Sequence, residues 1–300
     1  MIYKITNNTN VKSIVKELTN YLISADSEFK KELSNKICQI CEKYAPNKKW
    51  HIDTVVKVLT LSEGHVREEY ISQIITVIAT TPELHTYSVT KVYYAMKENL
   101  NQIGLVQLGV WLTGEFGEML VNGTCKNPDG NPIIVDDSEI IDIYEHILKD
   151  HNKKGERSDI VIMWALTALS KLSIRIGSAN PVKPENAHAK INERIKANLK
   201  DHDNHMNVEI QQRACEFLQI LDNKWDQERN GIFEPMPFKG DENMLVDAKD
   251  RAALDEDEGD NQLLIGFDST TDAKQTSDPA ASGGGGLLDL DLMMGGPTSS

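Results

Sequence analysis

Several residue groups in this 300-residue chain carry side chains able to do chemistry. Cys38-x-x-Cys41 has the spacing of a thiol redox or metal-binding pair. It lies within a helical pattern, follows no strand and has no second cysteine pair, so it reads as two small core residues. The stretch DHDNH at 201–205 sets His202 and His205 beside Asp201 and Asp203, side chains that can ligate a metal. The same composition suits a solvated connection between helices, and no metal is assigned. Glu115 and Glu118 in GEFGE supply carboxylates, with no His, Lys or nucleophilic Ser placed beside them as a catalytic set. Lys190, Arg194, Lys196 and Lys200 read as the solvated basic face of one helix. The chain holds no P-loop and no dinucleotide fingerprint. The expectation is a protein without catalysis and without a cofactor.

The C-terminal tail carries a different chemistry. LLDLD, residues 287–291, places three leucines and two acids in a Gly- and Asp-rich surrounding. In an extended peptide successive side chains face opposite ways. Leu287 and the pair Leu288 and Leu290 can therefore enter separate pockets of a groove, with Asp291 at a basic rim. That is the clathrin-box pattern, whose receptor is the clathrin heavy-chain terminal domain. A looser second fit is LIGFD, formed by Leu264, Ile265, Phe267 and Asp268.

These motifs need elements to hold them. Residues 11–224 read as helix after helix. Val11, Ile14, Val15, Leu18, Tyr21 and Leu22 form one stripe of helical period. Asp26 is placed to cap a helix that runs to Tyr44 and stops before Pro46. Further helices are predicted at 51–61, 66–79, 83–98, 103–121, 138–149, 158–176, 185–200 and 207–224, with a turn at Asn127-Pro128-Asp129-Gly130. The 103–121 and 160–174 segments are apolar nearly all round, which predicts burial on several faces and core roles for Trp111 and Trp164. Buried helices alternating with amphipathic ones point to an all-α solenoid of HEAT or armadillo type over 1–238. Its first stripe is expected to lack a polar cap and to lie among the least protected helices.

From 239 to 300 the chain is acidic, rich in Gly, Ser and Asp, and poor in aromatics, which predicts a disordered hinge. From Asp241 onward 14 acids face three bases, a net of −11, leaving about −3 of the total −14 for the first 240 residues. That balance excludes nucleic acid as the main partner. Four cysteines without a disulfide framework, no secretory leader and no apolar run of bilayer length predict a soluble, cytoplasmic protein.

Four stretches then carry a resemblance: EKYAPNKKWHIDTVVKVLTL, LVQLGVWLTGEFGEMLVNG, ALTALSKLSIR and VEIQQRACEFLQIL. In continuous order from Asn7 to Pro237 they resemble the γ-adaptin family, large subunits of the heterotetrameric clathrin adaptor of the trans-Golgi network and endosomes. The resemblance implies the C-terminal half of the family's helical trunk joined to a clathrin-binding hinge, without the N-terminal trunk and the C-terminal ear. It implies β-type, medium and small adaptor chains, an Arf-family GTPase and clathrin as partners, with peripheral membrane association on trans-Golgi and endosomal membranes and coated vesicles. The alternative is a generic HEAT-repeat scaffold whose tail motifs are fortuitous.

Overall fold

The computed structural model describes residues 2–125, 132–152, 158–179 and 185–235. Short 3₁₀ turns at Ile2–Ile5, Pro82–Leu84 and Asn223–Trp225 punctuate a succession of α-helices. These are α1 (Val11–Ser24), α2 (Ser27–Tyr44), α3 (Lys48–Leu61), α4 (Glu68–Ala79), α5 (His85–Glu98) and α6 (Ile103–Val121). They are followed by α7 (Asp137–Asn152), α8 (Asp159–Ala179), α9 (Glu185–Lys200), α10 (Val208–Ile220) and the single turn α11 (Arg229–Ile232).

Local chemistry sets the boundaries. Asp26 accepts the Phe29 N–H at 2.8 Å and starts α2, as its position in the sequence predicts. Asn47 does the same for Trp50 at 2.8 Å, which starts α3 three residues earlier than the apolar pattern alone suggests. The turn at 127–130 lies outside the described residues. Its flanks converge, with Ile133 N–H donating to the Cys125 carbonyl at 2.7 Å and Val135 N–H to Leu120 at 2.9 Å.

Successive helices pack in pairs, and the pairs stack. Odd-numbered helices form one layer, with α1 on α3, α3 on α5 and α7 on α9. Even-numbered helices form the other, with α2 on α4, α4 on α6, α6 on α8 and α8 on α10. This is the two-layer solenoid of helical-repeat proteins. The layers are joined by different means. Polar side chains stitch the odd layer: Asp53 of α3 pairs with Lys91 of α5 and accepts from Tyr87 at 2.5 Å. Glu139 of α7 accepts from Lys97 at 2.6 Å and Tyr93 at 3.0 Å. Arg194 of α9 reaches Asp142 at 2.5 Å and Glu145 at 2.9 Å. The even layer adds close backbone approach. An added Cβ on Gly114 of α6 would lie 2.6 Å from the Ala168 Cβ and 2.8 Å from its Cα in α8.

Gly114→Ala is therefore expected to destabilise the protein by about 1–3 kcal/mol, because backbone must move to admit one methyl group. Gly231→Ala, whose Cβ would meet nothing within 4 Å, is the control. Equal denaturant midpoints for the two variants would disprove the close approach.

Two expectations are corrected. The α1 stripe is covered by the helices that follow it. Val11, Val15, Leu18 and Leu22 are buried in a cluster with Leu33, Ile37, Cys38, Ile40 and Cys41 of α2 and Val58 of α3. Lys12, Ser13, Lys16, Glu17 and Asn20 of α1 face solvent, as do Tyr21 of the predicted stripe and Ile23, 55 and 60 % exposed. Trp111 and Trp164 are only partly buried, on the rim of the larger cluster that runs from α3 through α10. The fully buried residues of those helices are smaller, among them Leu105, Leu108, Leu112, Leu166 and Leu169.

Candidate functional site

The residues singled out for capture of a partner, Leu264, Ile265, Phe267 and Asp268 with Leu287, Leu288, Leu290 and Asp291, lie outside the described residues, as does the whole of 239–300. The other candidates can be placed. Cys38 and Cys41 sit one turn apart on α2, both buried, and burial pushes the Cys38 thiol up to about 12 and Cys41 further still. Nucleophilic and redox cysteines need the opposite shift. In the 201–205 connection His202 is buried and its Nδ1 meets the Asn198 carbonyl at 2.8 Å. His205 Nδ1 accepts the Asn207 N–H at 3.0 Å, and the two rings stack 6.1 Å apart. Among the described residues no three His, Cys, Asp or Glu side chains converge to hold a metal ion. On α9, Arg194 is engaged with α7 and Lys200 pairs with Asp203, while Lys190 is exposed. The intended basic face is thus half consumed by ion pairs.

His51 of α3 has a folded-state chemistry the sequence did not signal. Burial lowers its pKa from 6.5 to about 4. The folded protein keeps it neutral where the unfolded chain protonates it, so stability is lost as pH falls from about 6.5 towards about 4. His51→Gln should flatten the dependence of melting temperature on pH across that window; an unaltered slope would place the acid sensitivity elsewhere.

The densest electrostatic site is one for which no partner was foreseen. Glu115 is 3 % exposed in the middle of α6. Its carboxylate accepts from Lys171 Nζ at 2.6 Å and Arg175 Nη2 at 3.3 Å, two cations one turn apart on α8. Arg175 Nη1 also donates to the Gly114 carbonyl at 2.8 Å and to that of Glu115. The next residue, Phe116, leaves helical geometry at φ −125° and ψ 15°, and α6 kinks there. A side chain bonded into the carbonyl ladder is a recognised cause of such a kink. Glycines at 114 and 117 bring α8 close enough for the contact, the latter with Leu172 Cδ2 2.7 Å from its notional Cβ. The sequence did hold a signal: a carboxylate in the middle of a helix apolar nearly all round requires a buried cation, and ALSKLSIR offers two at the spacing of a single helical face. A site of this kind orders a scaffold. It has neither a nucleophile nor a general base in reach of a substrate.

Residues 1–224 match the family described as Adaptin N terminal region. The chain is 35% identical over 225 residues to AP-1 complex subunit gamma of Dictyostelium discoideum, covering 74% of this chain and 24% of that protein. It is 34% identical over 235 residues to AP-1 complex subunit gamma-1 of Mycosarcoma maydis, covering 78% and 25%. To AP-1 complex subunit gamma-2 of Arabidopsis thaliana it is 34% identical over 238 residues, covering 79% and 26%. The chain thus spans about a quarter of the length of these curated relatives. The family match takes in every paired helix of the two layers, from α1 to α10, and on that ground the chain belongs to the adaptin family.

Proposed function

We propose that this chain is the large-subunit scaffold of a heterotetrameric clathrin adaptor acting in vesicle-mediated transport between the trans-Golgi network and endosomes. The observation that carries the reading is the adaptin match over residues 1–224, followed in the same chain by two leucine–acid boxes. Under it, the solenoid of residues 1–238 assembles with β-type, medium and small adaptor chains. Residues 239–300 form the hinge, and Leu287, Leu288, Leu290 and Asp291 engage the clathrin heavy-chain terminal domain, with Leu264, Ile265, Phe267 and Asp268 as a second box. Membrane attachment is peripheral, through the complex and an Arf-family GTPase. It is in keeping with this that no described helix is long and apolar enough to cross a membrane. The chain does its work by binding, and catalyses nothing.

Affinity purification of the full chain from its native cell tests the reading. Co-purification of β-type, medium and small adaptor chains is expected. A preparation that brings down none of them would reduce the chain to a helical-repeat scaffold of another kind.

A further inference from the structure

The charged centre in α6 has a fourth member that an internal brace would not need. Arg175 Nη2, besides meeting Glu115 Oε1 at 3.3 Å, donates to the carbonyl of Phe233 at 3.3 Å. Phe233 is 7 % exposed and lies against Phe217 of α10, ring centroids 6.1 Å apart. The segment that brings it there is otherwise mostly exposed from Asp222 to Pro235. It is tied at its start by Arg229, which donates to the carbonyls of Ile220 at 3.0 Å and Asp222 at 2.9 Å. One guanidinium therefore holds Gly114 and Glu115 at the kink, the Glu115 carboxylate, and the last described turn of the chain.

We propose that Arg175 is a positioning residue that couples the kink in α6 to the seating of residues 229–235, so that displacing either one loosens the other. The physical ground is the shared donor. The planar guanidinium has a fixed fork of N–H groups, and its two halves cannot move independently. When Phe233 leaves, Nη2 loses an acceptor at one edge of that plane, and the guanidinium turns on Glu115. The turn withdraws Nη1 from the carbonyls that hold the bend. In the other direction, straightening α6 at Phe116 moves the Gly114 and Glu115 carbonyls and takes the arginine from Phe233. Both groups are buried, so no water stands ready to replace a lost bond. Contact between α6 and α8 is the most extensive of any helix pair, which makes the bend a property of the whole even layer. A partner that grips the 229–235 turn would by this route alter the middle of the solenoid.

Hydrogen exchange on the full chain, read peptide by peptide, decides the matter. Phe233→Ala keeps the carbonyl but removes the ring that seats it beside Phe217; with the turn unseated, exchange in residues 116–121 is expected to speed by roughly tenfold, the loss expected for one charge-assisted hydrogen bond. Trp225→Ala, in the same segment but 39 % exposed, should leave residues 116–121 unchanged. Arg175→Lys keeps the charge and removes the fork; it should speed exchange both at 116–121 and at 229–235. Combining Arg175→Lys with Phe233→Ala should match Arg175→Lys alone at 116–121, since Phe233 reaches those residues only through the arginine. Faster exchange confined to 221–235 in Phe233→Ala would overturn the coupling. So would effects of the two substitutions that multiply at 116–121, because two independent weakenings behave that way.

Discussion

Glu115→Ala is expected to lower the unfolding free energy by about 3–5 kcal/mol, the largest loss from any single substitution considered for the solenoid. The reason is the asymmetry of buried ion pairs. The carboxylate's own net contribution is small, since burying it costs nearly what its partners return. Removing it leaves Lys171 and Arg175 facing each other across low-dielectric space, with side-chain exposures of 18 and 7 %. For a domain of this size that loss lowers the melting temperature by about 6–20 °C. Glu115→Leu combined with Lys171→Met and Arg175→Met should recover much of the stability while losing the bend, because apolar side chains of similar volume need no counter-charge. An unchanged melting temperature in Glu115→Ala would mean that the centre is solvated and the burial of Glu115 illusory.

The second large effect concerns binding and leaves stability untouched. Replacing Leu287, Leu288 and Leu290 with Ala is expected to remove most clathrin capture by the full chain, with no change in the solenoid's melting temperature. Burying three leucines contributes roughly 4.5–9 kcal/mol. Ordering five backbone residues costs roughly 5–10 kcal/mol. The two nearly cancel, so backbone hydrogen bonds and Asp291 supply the surplus, and one box binds weakly, at about 10⁻⁴ to 10⁻⁵ M. Loss of the leucines leaves only the backbone hydrogen bonds and Asp291 to offset the ordering. Weak single contacts suit a coat that must come apart, provided many adaptors act together. Pull-down by immobilised clathrin terminal domain, with differential scanning calorimetry on the same samples, separates the outcomes. Full capture by the triple variant would move the interaction to Leu264–Asp268 or beyond. A lowered melting temperature would show that the leucines serve the fold.

What could be read from the residues alone follows a physical divide. Helix limits were legible where a capping side chain or a proline sets them, as at Asp26 and Pro46, because those signals are local. The alternation of buried and amphipathic helices gave the fold class, since a helix apolar all round can only sit between neighbours. The direction in which α1 turns its stripe was not legible: a lone amphipathic helix has the same pattern whether its partner precedes or follows it. Nor was the depth of Trp111 and Trp164, because an all-apolar helix does not say which of its residues face the rim. The Glu115 centre failed for a related reason. Its cations are 56 and 60 residues away, and only the close approach of α6 and α8 brings them together.

The unlike joints of the two layers have a mechanical consequence. The solenoid is a laminate with plies of unequal stiffness. Between even helices the load passes through side chains and backbone in close contact and, between α6 and α8, through the buried Glu115 centre. Between odd helices it passes through Asp53 and Lys91, Glu139 and Lys97, and Arg194 with its two carboxylates, links on long side chains that salt weakens. A laminate bends about its stiffer ply. Curvature imposed from outside is therefore taken up by opening and closing the odd-layer gaps, while the even helices keep their spacing and act as the neutral axis. Ionic strength acts chiefly on the compliant ply, because the even layer's ion pairs at Glu115 are buried and little screened.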